Sequence, residues 1–456
     1  MTSSEQPSSP SAQVSTTQPE PPAFTRWHLL TIALLVLGYS GYYFCRSDLS
    51  VALPLLKLDL AQHGIPADIA TVRLGSIASA GVLAYAIGKF LSGSLADLFG
   101  GRRCFLAGMA GSVLFTILFA LGGGFPIFTL AWIGNRLVQS AGWVGLVKVS
   151  SRWFSYSIYG TVMAVISLSY LFGDAASREV MALLLHAGMG WRGLFFVGAV
   201  SLAVLFLANL LLLRETPQER NLPAPQTNPL NLYANAEERI APNSTRLGTI
   251  LRPLMASKLF WMVCGLSLGT TLLRETFNLW TPTYFADFVG LSSAEAASRS
   301  ALFPLFGGVS VLLAGWMSDR LGLSGRSLVL FGGLTAGALC IFFLAQVQIH
   351  SSARIPVVLV ALIGFLLLGP YSYLAGAMSM DFGAETGAAT AAGIIDGVGY
   401  LAGVLSGDTM ARITVRYGWH NAFLVLAVIC LLTALIALIL TISQRKATRT
   451  RVANSA

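Results

Sequence analysis

Two arginines carry the strongest chemical signal in this 456-residue chain. Arg46 and Arg274 each lie inside a long apolar run. A guanidinium in such a setting is costly to bury, so it faces a protein interior or a water-filled cavity. Its planar fork of N–H donors suits the paired oxygens of an oxyanion such as phosphate. The two residues stand 228 positions apart. Opposed forks closing on one dianion are therefore the chemistry to look for. Lys89 adds a further cation, unless it snorkels to an interface. The competing use of the arginines is structural pairing with Asp48, Asp396 or Glu275. Asp48 and Glu275 lie two and one residues from the nearest Arg, and neighbours so close do not share a helix face.

Polar aromatics fall near these cations. Tyr39, Tyr43, Tyr85, Trp143, Tyr170 and Tyr400 could each bond an anion or its organic moiety. Tyr39 and Tyr43 are four apart, as are Tyr85 and Lys89, so each pair shares a helix face. Packing and interface anchoring are the alternative uses. Asp174 and Arg178, also four apart, favour an intrahelical pair, with proton coupling as the alternative for Asp174 and for Asp396. Arg136, Lys148 and Glu179 add charge to the same region. Asp97 with Arg102 and Arg103, and Asp319 with Arg320 and Arg326, fall at the ends of apolar runs, where gating salt bridges are expected. No nucleophile motif, metal-ligand cluster or nucleotide loop is visible. Gly122-Gly123-Gly124 has no following Lys-Ser/Thr and reads as a turn. An enzyme, a cofactor and a metal are not expected. The five cysteines have no framework or zinc spacing and read as packing residues.

The elements that must position these groups are membrane helices. Hydrophobic residues make up 55% of the chain and charged residues 11%, whereas a soluble domain carries roughly 25% charged residues. The net charge of +9 is scattered between apolar runs, which argues for loop topology rather than nucleic acid. Apolar runs predict spans at 28–56, 71–98, 104–121, 126–150, 158–185 and 193–213, then 258–285, 295–318, 327–347, 355–380, 387–412 and 421–442. Each is long enough to cross a bilayer core, which takes roughly 20 residues. Residues 1–24 read as a disordered tail without a cleaved-signal pattern. The division expected is a six-helix half over 25–214, a Pro-rich linker over 215–257, a second half over 258–442 and a tail over 443–456. Lys and Arg concentrate in the loops on the side of the termini, which puts both termini in the cytoplasm.

The halves repeat. Gly93-Ser-Leu-Ala-Asp97 is echoed by Gly315-Trp-Met-Ser-Asp319, Tyr170-Leu-Phe-Gly173 by Tyr400-Leu-Ala-Gly403, and Gly190-Trp191 by Gly418-Trp419. Three matches in order at nearly constant offset indicate duplication. The fold class predicted is an all-α membrane protein, with twelve transmembrane helices in two pseudo-symmetric halves and a site between them near the midplane. The offset of the repeat sets Arg46 and Arg274 at equivalent places.

The stretch Gly93 to Arg103 resembles the loop signature of the major facilitator superfamily, although Leu98 stands where a basic residue is usual. Arg136-Leu-Val-Gln139-Ser-Ala-Gly142 is similar to its fourth-helix pattern. Within the superfamily the chain resembles the organophosphate:phosphate antiporter family. The resemblance rests on Tyr42-Tyr43-Phe44-Cys45-Arg46, Tyr85 with Gly88-Lys89-Phe90, Gln139 to Trp143, and Leu272-Leu273-Arg274 with Trp280-x-Pro282-x-Tyr284. Tyr170 replaces a substrate-contacting His of that family. The resemblance implies exchange of a small phosphate ester for inorganic phosphate by alternating access. Proton-coupled transport of another small organic anion, or a non-transporting sugar-phosphate sensor, are the alternatives. The partners expected are that anion, phosphate and membrane lipid, with no nucleic acid. A monomer in a bacterial inner membrane is expected.

Overall fold

The computed structural model describes residues 24–225, 252, 254–349, 352–374 and 377–455. The expected N-terminal tail and most of the expected linker, 226–251, lie outside the described residues. The described residues are almost wholly helical and hold no strand.

The first half is built from α1 (Arg26–Phe44), α2 (Asp48–Gln62), α3 (Ala67–Phe99), α4 (Gly101–Leu121), α5 (Phe125–Trp153), α6 (Tyr156–His186) and α7 (Trp191–Leu212). The second half holds α8 (Lys258–Tyr284), α9 (Ser293–Ser300), α10 (Leu302–Ala345), α11 (Arg354–Tyr371), α12 (Ala377–Gly403) and α13 (Asp408–Ser455). Several of the predicted boundaries differ. The spans expected at 355–380 and 387–412 end instead at Tyr371 and Gly403, where α11 and α12 stop. Helix α10 runs unbroken through the connection expected between 318 and 327, which contains no proline. Its counterpart between α3 and α4 turns at Gly100, whose φ of +89° is open to glycine and strained for other residues. The closing segment 443–456 stays helical to Ser455. Helix α13 itself bends at Gly418, where φ is +78°.

Lipid and protein divide the helix faces. On α7, Val200, Val204, Leu207 and Leu211 form an exposed apolar stripe, while Leu194, Phe195, Gly198 and Leu202 are buried. An exposed stripe of this kind is stable only where the surroundings are themselves apolar. Inside, small residues let helices close in. The Tyr42 hydroxyl donates to the Phe105 carbonyl at 2.6 Å. A Cβ at Gly108 would lie 2.3 Å from that hydroxyl oxygen. All five cysteines are free, and all but Cys340 are buried.

The first span is not one helix. It breaks at Cys45-Arg46-Ser47, between α1 and α2. The backbone there tightens into i→i+3 turns, Cys45 N–H to Tyr42 C=O at 3.1 Å and Arg46 N–H to Tyr43 C=O at 3.2 Å. The Leu49 N–H, which an unbroken helix would give to the Cys45 carbonyl, goes instead to Asp48 Oδ1 at 2.7 Å. The freed Cys45 carbonyl accepts from Asn135 Nδ2 at 2.9 Å and Gln139 Nε2 at 3.0 Å. A buried carbonyl within a membrane protein needs such partners. The equivalent helix of the second half, α8, continues through Arg274 without a break.

The halves meet most closely at the end away from the chain termini. Ser50 Oγ donates to the Asn278 and Leu279 carbonyls at 2.7 and 2.8 Å. Arg178 reaches Ser300 Oγ at 3.1 Å and the Asn278 carbonyl at 2.9 Å. Lys57 pairs with Asp287. The seam between α3 and the start of α13 is close-set: a Cβ at Gly407 would lie 2.3 Å from the Gly75 carbonyl oxygen, and the Ser76 and Ser79 hydroxyls donate across it to Asp408 Oδ1 and the Val404 carbonyl, both at 2.5 Å.

Candidate functional site

The helix break places Arg46 beside a cavity between the halves. The cavity encloses about 690 Å³ of empty space, counting the part open to solvent. Besides Arg178, which Asp174 holds, three arginines line it: Arg46 from the break, Arg136 from α5 and Arg274 from α8. Each arrives on a different element, so the fold rather than the local sequence brings them together.

They converge on one carboxylate. Glu275 Oε1 lies 2.7 Å from Arg274 Nη2 and 3.8 Å from Arg46 Nη2, and Glu275 Oε2 lies 3.9 Å from Arg136 Nη2. The expected 228-residue equivalence of Arg46 and Arg274 thus corresponds to two cations reaching the same oxygen. The face argument that set Glu275 aside does not hold. Adjacent residues leave a helix about 100° apart, but both side chains are long enough to turn into one cavity. Two buried donors, Arg136 Nη1 and Arg274 Nε, have no protein partner among the described residues. Buried donors of this strength are normally satisfied, so they are directions in which the site can still bind an oxygen.

Aromatic rings wall the cations. The Arg46 guanidinium stands 4.8 Å from the Tyr85 ring centre and 5.4 Å from that of Tyr43. Arg136 stands 4.7 Å from Tyr85, and Arg274 4.8 Å from Tyr371. Arg274 Nη2 also donates to the Tyr400 hydroxyl at 3.0 Å. Tyr85 and Tyr400 face each other across the halves at 5.0 Å. Tyr170 lines the cavity with Tyr43. Tyr39 and Trp143 pack together at 5.4 Å, one layer behind Tyr43. Ring faces this close to guanidiniums hold the cations without neutralising them.

Several of the other predicted charges have partners among the described residues. Lys89 pairs with Asp396 across the halves at 3.1 Å. Asp174 accepts from Arg178 Nε at 2.9 Å and from the Ser47 hydroxyl. Arg102 donates to the Leu213 and Leu210 carbonyls, both at 2.7 Å, closing the end of α7. In return Glu215 accepts the Gly101 and Arg102 N–H groups at 2.9 and 2.6 Å and pairs with Arg152 at 2.7 Å. This reciprocal cap braces α4 against α7 inside one half. Arg103 is exposed. Arg320 lies over the Trp316 ring, and Arg326 has a partner of its own. Asp97 and Asp319 sit in helices, but their side chains lie outside the described ones.

Arg136, Tyr371, Glu275 and Glu215 are the functional candidates that the sequence ranked low or left out. An intramembrane Arg136 was signal enough to rank with the others. Tyr371 sits just past Pro370 at the end of a span, and Glu215 lies in the expected linker. Neither has a periodicity that would mark it.

The sequence matches the model of the Major Facilitator Superfamily over residues 35–407. A glycerol-3-phosphate transporter of Bacillus subtilis (strain 168) is 26% identical over 430 residues, 92% of this chain and 93% of that protein. A probable hexose phosphate transport protein of Chlamydia trachomatis serovar D is 27% identical over 91% of this chain and 90% of its own. The membrane sensor protein UhpC of Escherichia coli (strain K12) is 24% identical over 90% of this chain and 92% of its own. Among solved structures, a D-xylose-proton symporter superposes with a TM-score of 0.70 at 15% identity, covering 90% of this chain and 97% of that one. The last comparison bears on the fold alone.

Proposed function

From the premise that this chain belongs to the Major Facilitator Superfamily, we propose that it carries a small organic phosphate ester across a membrane by alternating access, exchanging it for inorganic phosphate. The observation that carries this reading is the convergence of Arg46, Arg136 and Arg274 on one carboxylate in a cavity between the halves. Three guanidiniums within 4 Å of one carboxylate, one of them hydrogen-bonded to it, make a site suited to oxyanions. The orphaned Arg136 Nη1 and Arg274 Nε supply donors for phosphate oxygens. Tyr43, Tyr170 and Tyr400 supply neutral donors for the phosphate or the organic part, with Tyr39, Tyr85 and Trp143 behind them.

The route follows from where the halves touch. The contacts of Ser50, Lys57 and Arg178 seal the end away from the termini, and Lys89–Asp396 is the cross-half pair on the other side of the cavity. Binding of a dianion draws the two cationic walls together, and parting of the sealed end releases it. In this reading both termini lie in the cytoplasm of a bacterial inner membrane, and the protein acts as a monomer.

A second reading is a sensor that binds sugar phosphate without moving it; the relative named as a membrane sensor supports it. Radiolabelled phosphate uptake into proteoliposomes separates the two. Uptake that requires internal phosphate and is blocked by one external ester establishes exchange and its substrate. Ester binding without uptake establishes the sensor. Neither, in folded protein, removes the phosphate clamp.

A further inference from the structure

The carboxylate at the centre of the clamp belongs to the protein. Glu275 rides on α8 with Arg274, yet it reaches Arg46 and Arg136 on the opposite half at 3.8 and 3.9 Å. Among the described residues no other acidic group near the cavity pairs with these three guanidiniums. Asp174 holds Arg178, Asp396 holds Lys89, and Asp48 Oδ1 holds a backbone N–H while its Oδ2 has no partner among the described residues. Glu275 is therefore the anion that serves three guanidiniums. Its two oxygens lie within 4 Å of cations from both halves at once.

We propose that Glu275 is a resident counter-anion that stands in for phosphate between the halves, and so lets the carrier reorient without substrate. This rests on the reading of the site as a phosphate clamp. A clamp of bare arginines would repel itself whenever the halves close, because like charges buried together are costly. Such a carrier could cross only when loaded, and exchange would be obligatory. With Glu275 between the forks, part of that repulsion is removed from within. The empty carrier can then return, and net flux accompanies exchange. The same carboxylate must yield its guanidiniums to an incoming phosphate, so it competes with substrate for the site. One residue thus sets both the ratio of net flux to exchange and the affinity for phosphate.

The test uses purified full-length protein in proteoliposomes loaded with radiolabelled phosphate. Efflux into phosphate-free buffer is compared with efflux into buffer containing phosphate, and phosphate binding in detergent is followed by calorimetry. Wild type should release label into phosphate-free buffer at a measurable rate. Glu275→Gln should lower the ratio of free efflux to exchange about tenfold, whatever its absolute rate, and tighten phosphate binding by a similar factor of about ten. Glu275→Asp keeps the charge but withdraws it from Arg46 and Arg136, so it should lower the ratio in the same direction and less. It covers the case in which the amide variant does not fold. An unchanged ratio in whichever variant folds, or wild-type exchange without any free efflux, overturns the proposal. Absence of both exchange and phosphate binding in folded wild type fails the phosphate reading instead, and removes the proposal's premise with it.

Discussion

Replacing Arg274 with Lys asks whether the forks, and not merely the charge, recognise the substrate. Arg274 commits Nη2 to Glu275 and Tyr400, at 2.7 and 3.0 Å, and leaves Nε without a partner. A phosphate oxygen approaching that edge meets the free Nε–H, and once it displaces Glu275 from Nη2 the two parallel N–H bonds of a fork hold it. A lysine ammonium keeps the positive charge but is a point donor and cannot present a fork. At least one charge-assisted hydrogen bond is lost, worth about 1.5–3 kcal/mol. At 1.4 kcal/mol per decade this is a weakening of about ten- to a hundredfold. The contact with the Tyr371 ring at 4.8 Å is also lost or loosened, which pushes toward the larger figure. The assay is phosphate exchange in proteoliposomes, with KM and maximal rate measured separately for Arg274→Lys and Arg46→Lys. The KM for phosphate should rise by that factor in both. If both variants stay within about twofold of wild type in KM and rate, the forks do not hold the substrate and the clamp is wrong.

Other expectations follow from the same geometry. Lys89→Met should impair exchange strongly, because the half-buried Asp396 carboxylate loses its partner across the halves, at about 1–3 kcal/mol. Adding Asp396→Asn should restore much of it if Lys89 serves the pair, and none if Lys89 must touch substrate. Glu215→Gln loses the carboxylate charge that holds two backbone N–H groups and Arg152. It should reduce stability by about 1–2 kcal/mol, within the range of lost helix caps, seen as a lower melting temperature in detergent. Gly407→Val cannot fit against Gly75 while the seam is closed. An impermeant maleimide should then label a cysteine placed at Ser76 faster than in the parent. Equal labelling would show that the seam yields without opening.

The sequence carried the architecture because the membrane imposes a length and a polarity on every span, and because duplication leaves a constant offset. That offset also pairs Arg46 with Arg274. What escaped it depends on the third dimension. The break at residues 45–47 has no proline or glycine to announce it. It is held by Asn135 and Gln139, about 90 residues away in the chain. Glu275 was discounted by a rule about helix faces that governs surface pairs and fails for long side chains turning into a cavity. Glu215 lay in a segment whose prolines read as linker, yet its carboxylate caps a helix that begins more than a hundred residues earlier. The gating role expected of Arg102 rested on its position at a span end. The structure uses its guanidinium to close α7 within the same half.

The Cys45 carbonyl has a consequence for inheritance. The group that anchors the break is main chain, and no point mutation can delete it. Position 45 can therefore change its letter, within the small volume its burial allows, and still present the same acceptor. The liability moves to the partners. Asn135 and Gln139 are each one codon from losing the amide that steadies Arg46, while neither touches the arginine's own charge. Deep mutational scanning for growth on a phosphate ester should find a tolerant residue flanked, far away in the chain, by two intolerant ones. A disabling lesion at either would lie outside any list of substrate contacts.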